Sequence, residues 1–275
     1  MIFLALSSSS PTENFIKCPQ EALNWKNRSR RSLEEILTYE PDIICLEEVD
    51  HFKDCYLPAL ESVGYAGLFK GKKNSPCLKF ACNFGPDGCA LFYNKHKFAL
   101  EEVIQKGLED LSGCPTNQVV LIAKLRNLRQ MKSLVCAVTH LKAKPGFEKL
   151  RLEQGMDILK SISLLKDSDS SVVLCGDFNA EPSEPVCNLM KENGFNLPLM
   201  NANQSALGRE AEFTTWKVRP SGEVKHTIDY IFHSKDLAVA QCLMTPDVKD
   251  VGEGRLPCIE YPSDHVSLVF DFLWY

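Results

Sequence analysis

Apolar positions along the chain fall into short β-branched runs separated by a few amphipathic segments. Ile43-Ile44-Cys45-Leu46, Cys89 to Tyr93, Gln118 to Leu125, Leu134 to Thr139 and Val172-Val173-Leu174-Cys175 have the length and composition of strands. Further strands are predicted over Thr214 to Lys217, Thr227 to Phe232, Leu237 to Leu243 and Val266 to Phe272. Helical spacing runs from Pro19 to Leu37, where Leu33, Ile36 and Leu37 make a stripe and Pro41 follows the stop. A second helix is predicted from His51 to Val63, closed by Gly64, and a long one from Phe147 to Leu165. Residues 69–86 read as loop, with Lys70, Lys72 and Lys73 around Gly71. Strands dominate and helices stand between only some of them, so a layered α+β sandwich is favoured over a purely parallel α/β sheet. No repeat, low-complexity tract or linker interrupts the 275 residues, which predicts one domain spanning 1–275.

The segment Gly176-Asp177-Phe178-Asn179-Ala180-Glu181-Pro182 follows directly on the run that ends at Cys175. Glycine marks an abrupt strand end. Alternation sends Phe178 into the core and leaves Asp177 and Asn179 on the opposite face. There Asp can orient or deprotonate a water, and Asn can donate to a developing oxyanion. Alone, the segment reads equally well as a solvated turn.

Other polar groups sit at the ends of predicted strands: Glu48 after Leu46, His140 after Thr139, Asp229 within Thr227–Phe232, and Asp264-His265 before Val266. Such placement suits a site on one edge of a sheet sandwich. Glu48 is a candidate ligand for a hard cation, which takes carboxylate oxygens. Alternation should send Glu47 to the other face, so one of the two acids is expected to be merely solvated. His140, with Lys142 and Lys144, offers a donor and positive charge to a phosphoryl oxygen; a core-edge His with two exposed Lys is the plainer reading. His265 needs an acid to fix its tautomer. Its neighbour Asp264 is badly placed for this on a strand, so Asp229 is the better partner and Asp264 is left to face a metal.

Composition narrows the classes. A net charge of −5 argues against a dedicated nucleic-acid binder, though not against a local basic groove, and 44% hydrophobic residues support an ordinary core. The twelve Cys include no C-x-x-C pair or Cys/His cluster, so zinc is not expected and free thiols in a reducing compartment are. The apolar start, Met1 to Leu6, is short for a secretory leader and lacks a basic flank. No run reaches membrane-spanning length. The chain therefore reads as soluble and cytoplasmic, with a mitochondrial or nuclear pool allowed, and as a monomer. Nucleophile-elbow, Walker and dinucleotide-fold fingerprints are missing from the sequence.

In chain order, Cys45-Leu46-Glu47-Glu48-Val49, Thr139-His140-Leu141, Gly176-Asp177-Phe178-Asn179, Thr227-Ile228-Asp229-Tyr230 and Ser263-Asp264-His265 resemble the motifs of the endonuclease/exonuclease/phosphatase superfamily, in its deadenylase-related branch. The likeness runs from Phe15 to Phe272 and takes in Thr214-Thr215-Trp216-Lys217 and Ser221-Gly222-Glu223. It implies a four-layer α/β/β/α sandwich and Mg2+-dependent attack of water on a phosphate ester. By resemblance, Glu48 and Asp264 serve the metal, Asp177 the water, Asn179 and His140 the phosphoryl oxygens, and His265, paired with Asp229, polarises the phosphate. The implied substrate is the 2′-phosphate of NADP(H), touched by Lys72, Lys142, Lys144 and Arg219. A 3′ exonuclease acting on poly(A) RNA is the alternative, and a binding protein without turnover is a third reading.

Three departures from the family pattern stand out. Glu47 replaces Gln, Lys144 replaces Arg, and the chain starts just after the Asn that ends the family's first core strand. The sandwich is therefore expected to lack that strand, together with one polar group near the phosphate. This is the motivation for the third reading.

Overall fold

The computed structural model describes residues 2–4, 15–192 and 194–275. Met1, Ala5, Leu6 and the serines that follow lie outside them. The strands are β1 (Ile2–Leu4), β2 (Ile43–Val49), β3 (Tyr65–Gly71), β4 (Gly88–Asn94), β5 (Phe98–Glu109), β6 (Pro115–Asn127), β7 (Ser133–His140), β8 (Ser170–Asp177), β9 (Leu199–Asn201), β10 (Thr215–Arg219), β11 (Gly222–His226), β12 (Asp229–Ser234), β13 (Leu237–Cys242) and β14 (Phe270–Trp274). The helices are α1 (Gln20–Leu23), α2 (Trp25–Tyr39), α3 (Leu57–Ser62), α4 (Glu148–Leu165), α5 (Pro185–Lys191), α6 (Ala202–Leu207) and α7 (Val248–Val251).

One sheet has the order β1-β2-β4-β3 and the other β5-β6-β7-β8-β12-β9, with β10-β11 and β13-β14 as separate ribbons. Alternation along each strand divides the core into layers. Ile44 and Leu46 of β2 pack toward Ile36 of α2 and Leu60 of α3. Cys45 turns the other way and meets Cys136, Val138 and Cys175 between the sheets. On the far side, Val172 and Leu174 of β8 pack with Ile158 and Ile162 of α4 and Val186 of α5. The result is the expected four-layer α/β/β/α sandwich. All twelve cysteines are free thiols. Among the described residues no helix is long and apolar enough to cross a membrane.

Several elements depart from the sequence reading. Ile2–Leu4, not predicted as a strand, pairs in parallel with β2, Ile2 opposite Cys45 and Leu4 opposite Glu47. β3 occupies part of the predicted 69–86 loop. β5 was not anticipated: it is an edge strand with register shifts at Leu100/Glu102 and Gly107/Glu109, which scramble the alternation that marks a strand. The predicted strand from Val266 joins β13 only at Phe270, because Val266 N–H first donates to Thr214 O of the β10 segment.

Candidate active site

The inter-sheet face that is apolar through the middle of the sandwich becomes polar at one end. On β8 the positions facing the other sheet run Val173, Cys175, Asp177; on β7 they run Cys136, Val138, His140. His140 lies beside Asp177 in the parallel β7–β8 register, and Asp229 lies opposite Asp177 in the antiparallel β8–β12 register. Glu47 follows Cys45 on the same face of β2. Asp177 and His140 close their strands and Asp229 opens its own, and alternation turns all three, with Glu47, to the same inter-sheet face.

The two adjacent glutamates do not behave as alternation predicts. Glu47 is fully buried, and among the described residues neither of its carboxylate oxygens has a hydrogen-bond partner. Glu48 adopts a left-handed backbone, φ 54°, at a bulge between Leu46 and Val49. The extra residue turns Glu48 away from the helix-facing side toward the site, where its Oε1 lies 3.9 Å from His140 Nδ1. Neither acid is merely solvated.

Asp177 is 4% exposed, and its carboxylate accepts from Asn179 N–H at 2.7 Å. Burial, reinforced by the charge of Asp229, pushes its pKa from 3.8 up to about 8. Glu47 is driven well upward by the same two causes. His140 Nε2 stands 3.7 Å from Asp177 Oδ2. Its imidazole is held well below its usual pKa by burial and by the charges of Lys72, His265 and Lys217, so it is a neutral ring. Phe178 packs in the core as expected, edge-on to Tyr230. Asn179 takes a left-handed turn, φ 49°, and donates one amide hydrogen to Leu141 O at 3.2 Å.

His265 and Asp229 are partnered: Nδ1 and Oδ2 are 2.8 Å apart in a buried setting. Burial favours the neutral ring, but the Asp229 carboxylate outweighs it and raises the His265 pKa. Thr215 holds the segment by bridging to His265 and donating its hydroxyl to Asp264 O at 2.7 Å. Arg28, a buried residue of α2, donates to Pro262 O at 2.9 Å and braces the segment.

Asp264 is paired with two cations. Its carboxylate accepts from Lys217 Nζ, and Arg219 Nη2 lies 3.6 Å away. These cations overcome the burial penalty and hold its pKa below the usual carboxylate range. Arg219, expected on substrate, is turned to Asp264 and to the Phe15 ring, 4.9 Å from its centroid. Lys72 is likewise committed, 2.6 Å from Asp87 Oδ2. Lys142 lies over the Phe147 ring at 4.8 Å, and Lys144 is exposed on the loop after β7. Lys217 and Asp87 escaped the list of candidates because each shows its role only through a partner distant in the chain.

The donor set suits a hard cation. Asp177, Asp229 and His265 each offer one ligand atom within 4.8 Å of the others, and Glu47 Oε1, Glu47 Oε2 and Asp229 Oδ1 are buried without hydrogen-bond partners among the described residues. Oxygen-rich, like-charged and unsatisfied, the centre would be relieved by a divalent ion. Asp264 Oδ2 lies 3.9 Å from His265 Nε2, at the edge of this group.

Comparison with known proteins agrees with this architecture. Human nocturnin is 43% identical over 272 residues, covering 98% of this chain, which in turn spans 63% of that protein. The solved structure of the human nocturnin catalytic domain with bound sulfate anion superposes with a TM-score of 0.80 at 37% identity, covering 94% of this chain and 92% of that one. ANGEL2, solved as a 2′,3′-cyclic phosphatase with adenosine-2′,3′-vanadate, shares the fold at a TM-score of 0.84 and 23% identity, over 98% of this chain and 94% of that one. The model of the Endonuclease/Exonuclease/phosphatase family matches residues 12–265. With nearly the whole chain covered, this protein belongs to the endonuclease/exonuclease/phosphatase family, among the relatives of nocturnin.

Proposed function

We propose that the chain is a Mg2+-dependent phosphoesterase that removes the 2′-phosphate of NADP(H) to give NAD(H) and phosphate. The observation that carries this reading is one acid–histidine centre with Lys217 and Arg219 against Asp264, Lys72 paired with Asp87, and Lys142 and Lys144 on the loop that follows His140. Such a compact cationic fringe suits a small ligand with several phosphates. The sulfate bound in the human nocturnin structure is a phosphate mimic and supports the same reading.

In this scheme Asp177 would be ionised once a divalent ion offsets the burial and the Asp229 charge that raise its pKa, and would then orient the attacking water and accept its proton. His140, kept neutral, donates from its ring to a phosphoryl oxygen, and Asn179 offers its remaining amide hydrogen to another. His265, protonated through Asp229, donates from Nε2 to the phosphate as charge develops. Glu48 and the neighbouring carboxylates would hold Mg2+, whose contribution is to neutralise phosphate charge. Asp264 acts through the cations it holds, aiming Lys217 and Arg219 at the anion.

Release of inorganic phosphate from NADP+ and NADPH by purified, folded protein tests the proposal; EDTA or Glu48→Ala should abolish it. No release under these conditions refutes it. An A-tailed RNA run in parallel separates the alternatives. Shortening of that RNA would assign an exonuclease, and NADP+ binding without turnover would assign a binding protein.

A further inference from the structure

Arg151 lies in α4, well away from every motif that marks the site in the sequence, yet it is 2% exposed and among the largest fully buried side chains. Its guanidinium spans two parts of the site. Nη1 donates to Lys142 O at 3.1 Å and to Lys144 O at 2.9 Å. Nε and Nη2 both donate to Glu184 Oε2, at 3.0 and 2.7 Å. The other oxygen of Glu184 accepts from Glu181 N–H at 3.3 Å, in the turn that follows Asp177 and Asn179. One helical turn along, Gln154 accepts from Lys142 N–H at 3.1 Å and donates to Thr116 and Gln118, each at 3.1 Å.

Lys142 N–H, Lys142 O and Lys144 O are therefore all held by these two side chains. The loop needs them, because Lys144 sits at φ 84°, a conformation that costs a residue with a Cβ. An unbraced loop would relax and carry both ammonium groups off target. Only a guanidinium presents a planar fork that can serve two carbonyls and a carboxylate together.

We propose that Arg151 is a positioning residue for anion recognition: it holds the Lys142–Lys144 loop at a set distance from the Asp177–Asn179 turn, so that the two lysines meet the substrate's phosphates. The inference rests on the phosphoesterase reading above and adds a residue that never touches substrate.

The test compares wild type, Arg151→Lys, Lys142→Ala/Lys144→Ala and the triple combination. Steady-state kinetics on NADP+ are paired with calorimetric titration of NADP+ in EDTA. Because a 1 Å misplacement can cost up to about 10²-fold, Arg151→Lys is expected to raise KM and Kd about tenfold while kcat stays within about threefold. The double lysine variant should do the same, and adding Arg151→Lys to it should change little further, because the group acted upon is gone. A kcat loss at unchanged KM, or effects that multiply in the triple variant, would overturn the proposal. If Arg151→Lys does not fold, Glu184→Gln, which weakens the same clamp, is read in the same way. If wild type neither binds nor hydrolyses NADP+, the function proposed above fails. Titration with inorganic pyrophosphate then judges Arg151 by itself, and equal Kd values for wild type and the Arg151 variant would refute its role.

Discussion

Replacing Asp177 with Asn should stabilise the metal-free protein while destroying its activity, and the stabilisation should grow with pH. Asn keeps the oxygen that accepts from Asn179 N–H, so the turn survives. What it removes is a buried acid whose pKa is pushed from 3.8 to about 8 by desolvation and by Asp229. The sign follows from proton linkage: the folded state holds this proton through a range in which the unfolded state has released it. The acid is therefore harmless below about pH 4, and wild type loses stability as pH rises from there toward 8. At about 1.36 kcal/mol per unit, the window from pH 5.5 to 8 corresponds to about 3 kcal/mol. Asp229 and His265 share the local field, so we expect the gap between variant and wild type to widen by about 2–3 kcal/mol. Urea denaturation of both proteins in EDTA at the two pH values measures this directly, since titrations of groups not coupled to Asp177 cancel in the difference. Phosphate release by the variant should fall at least about 10²-fold. A gap that stays flat within about 0.5 kcal/mol, or an Asn variant that weakens toward pH 8, would refute the burial-and-repulsion argument.

Glu47→Gln follows the same logic: its raised pKa marks a buried acid without a partner, so in EDTA the variant should melt higher than wild type, and by more at pH 8 than at pH 5. Differential scanning calorimetry reads it at about 2–4 °C per kcal/mol recovered, and an equal shift at both pH values would contradict the assignment. For Glu48→Gln the measurement is thermal stability against Mg2+ concentration. Wild type should gain about 2.7 kcal/mol at a hundred times its Kd, and the variant much less. Lys72→Met strips the buried Asp87 of its cation and should cost about 3 kcal/mol by urea denaturation, with Lys72→Met/Asp87→Asn recovering most of it. If the single variant is as stable as wild type, Lys72 is a free substrate ligand instead of a structural one.

What could be read from the chain follows from how local the causes are. The strand through Val172–Cys175, which runs on through Gly176 to Asp177, the inward Phe178 and the partnership of Asp229 with His265 rest on short-range patterning and on the chemical need of a buried imidazole for an acid. Residues whose role lies in a distant partner were not legible. Arg151 and Gln154 fall on the same stripe of α4 as Ile158 and Ile162, and two polar residues on a buried helix face were the available signal. Their carbonyl and amide partners around Lys142 were invisible in sequence. Lys72 and Arg219 looked like substrate cations because both are basic and near the motifs. Only the folded chain shows that Asp87 and Asp264 already hold them.

The sequence by itself determined the layered class, the strand ends at which chemistry would gather and the identity of most groups there, because side-chain alternation and turn chemistry are properties of neighbouring residues. Tertiary structure alone decided which way Glu47 and Glu48 point, how far the Asp177 proton is held and what Asp264 faces. A bulge pivots the backbone at Glu48. Burial removes the water that would otherwise keep Asp177 and Glu47 ionised. Charges from four separate strands then act on one another across a low-dielectric space that exists only when both sheets have closed over it.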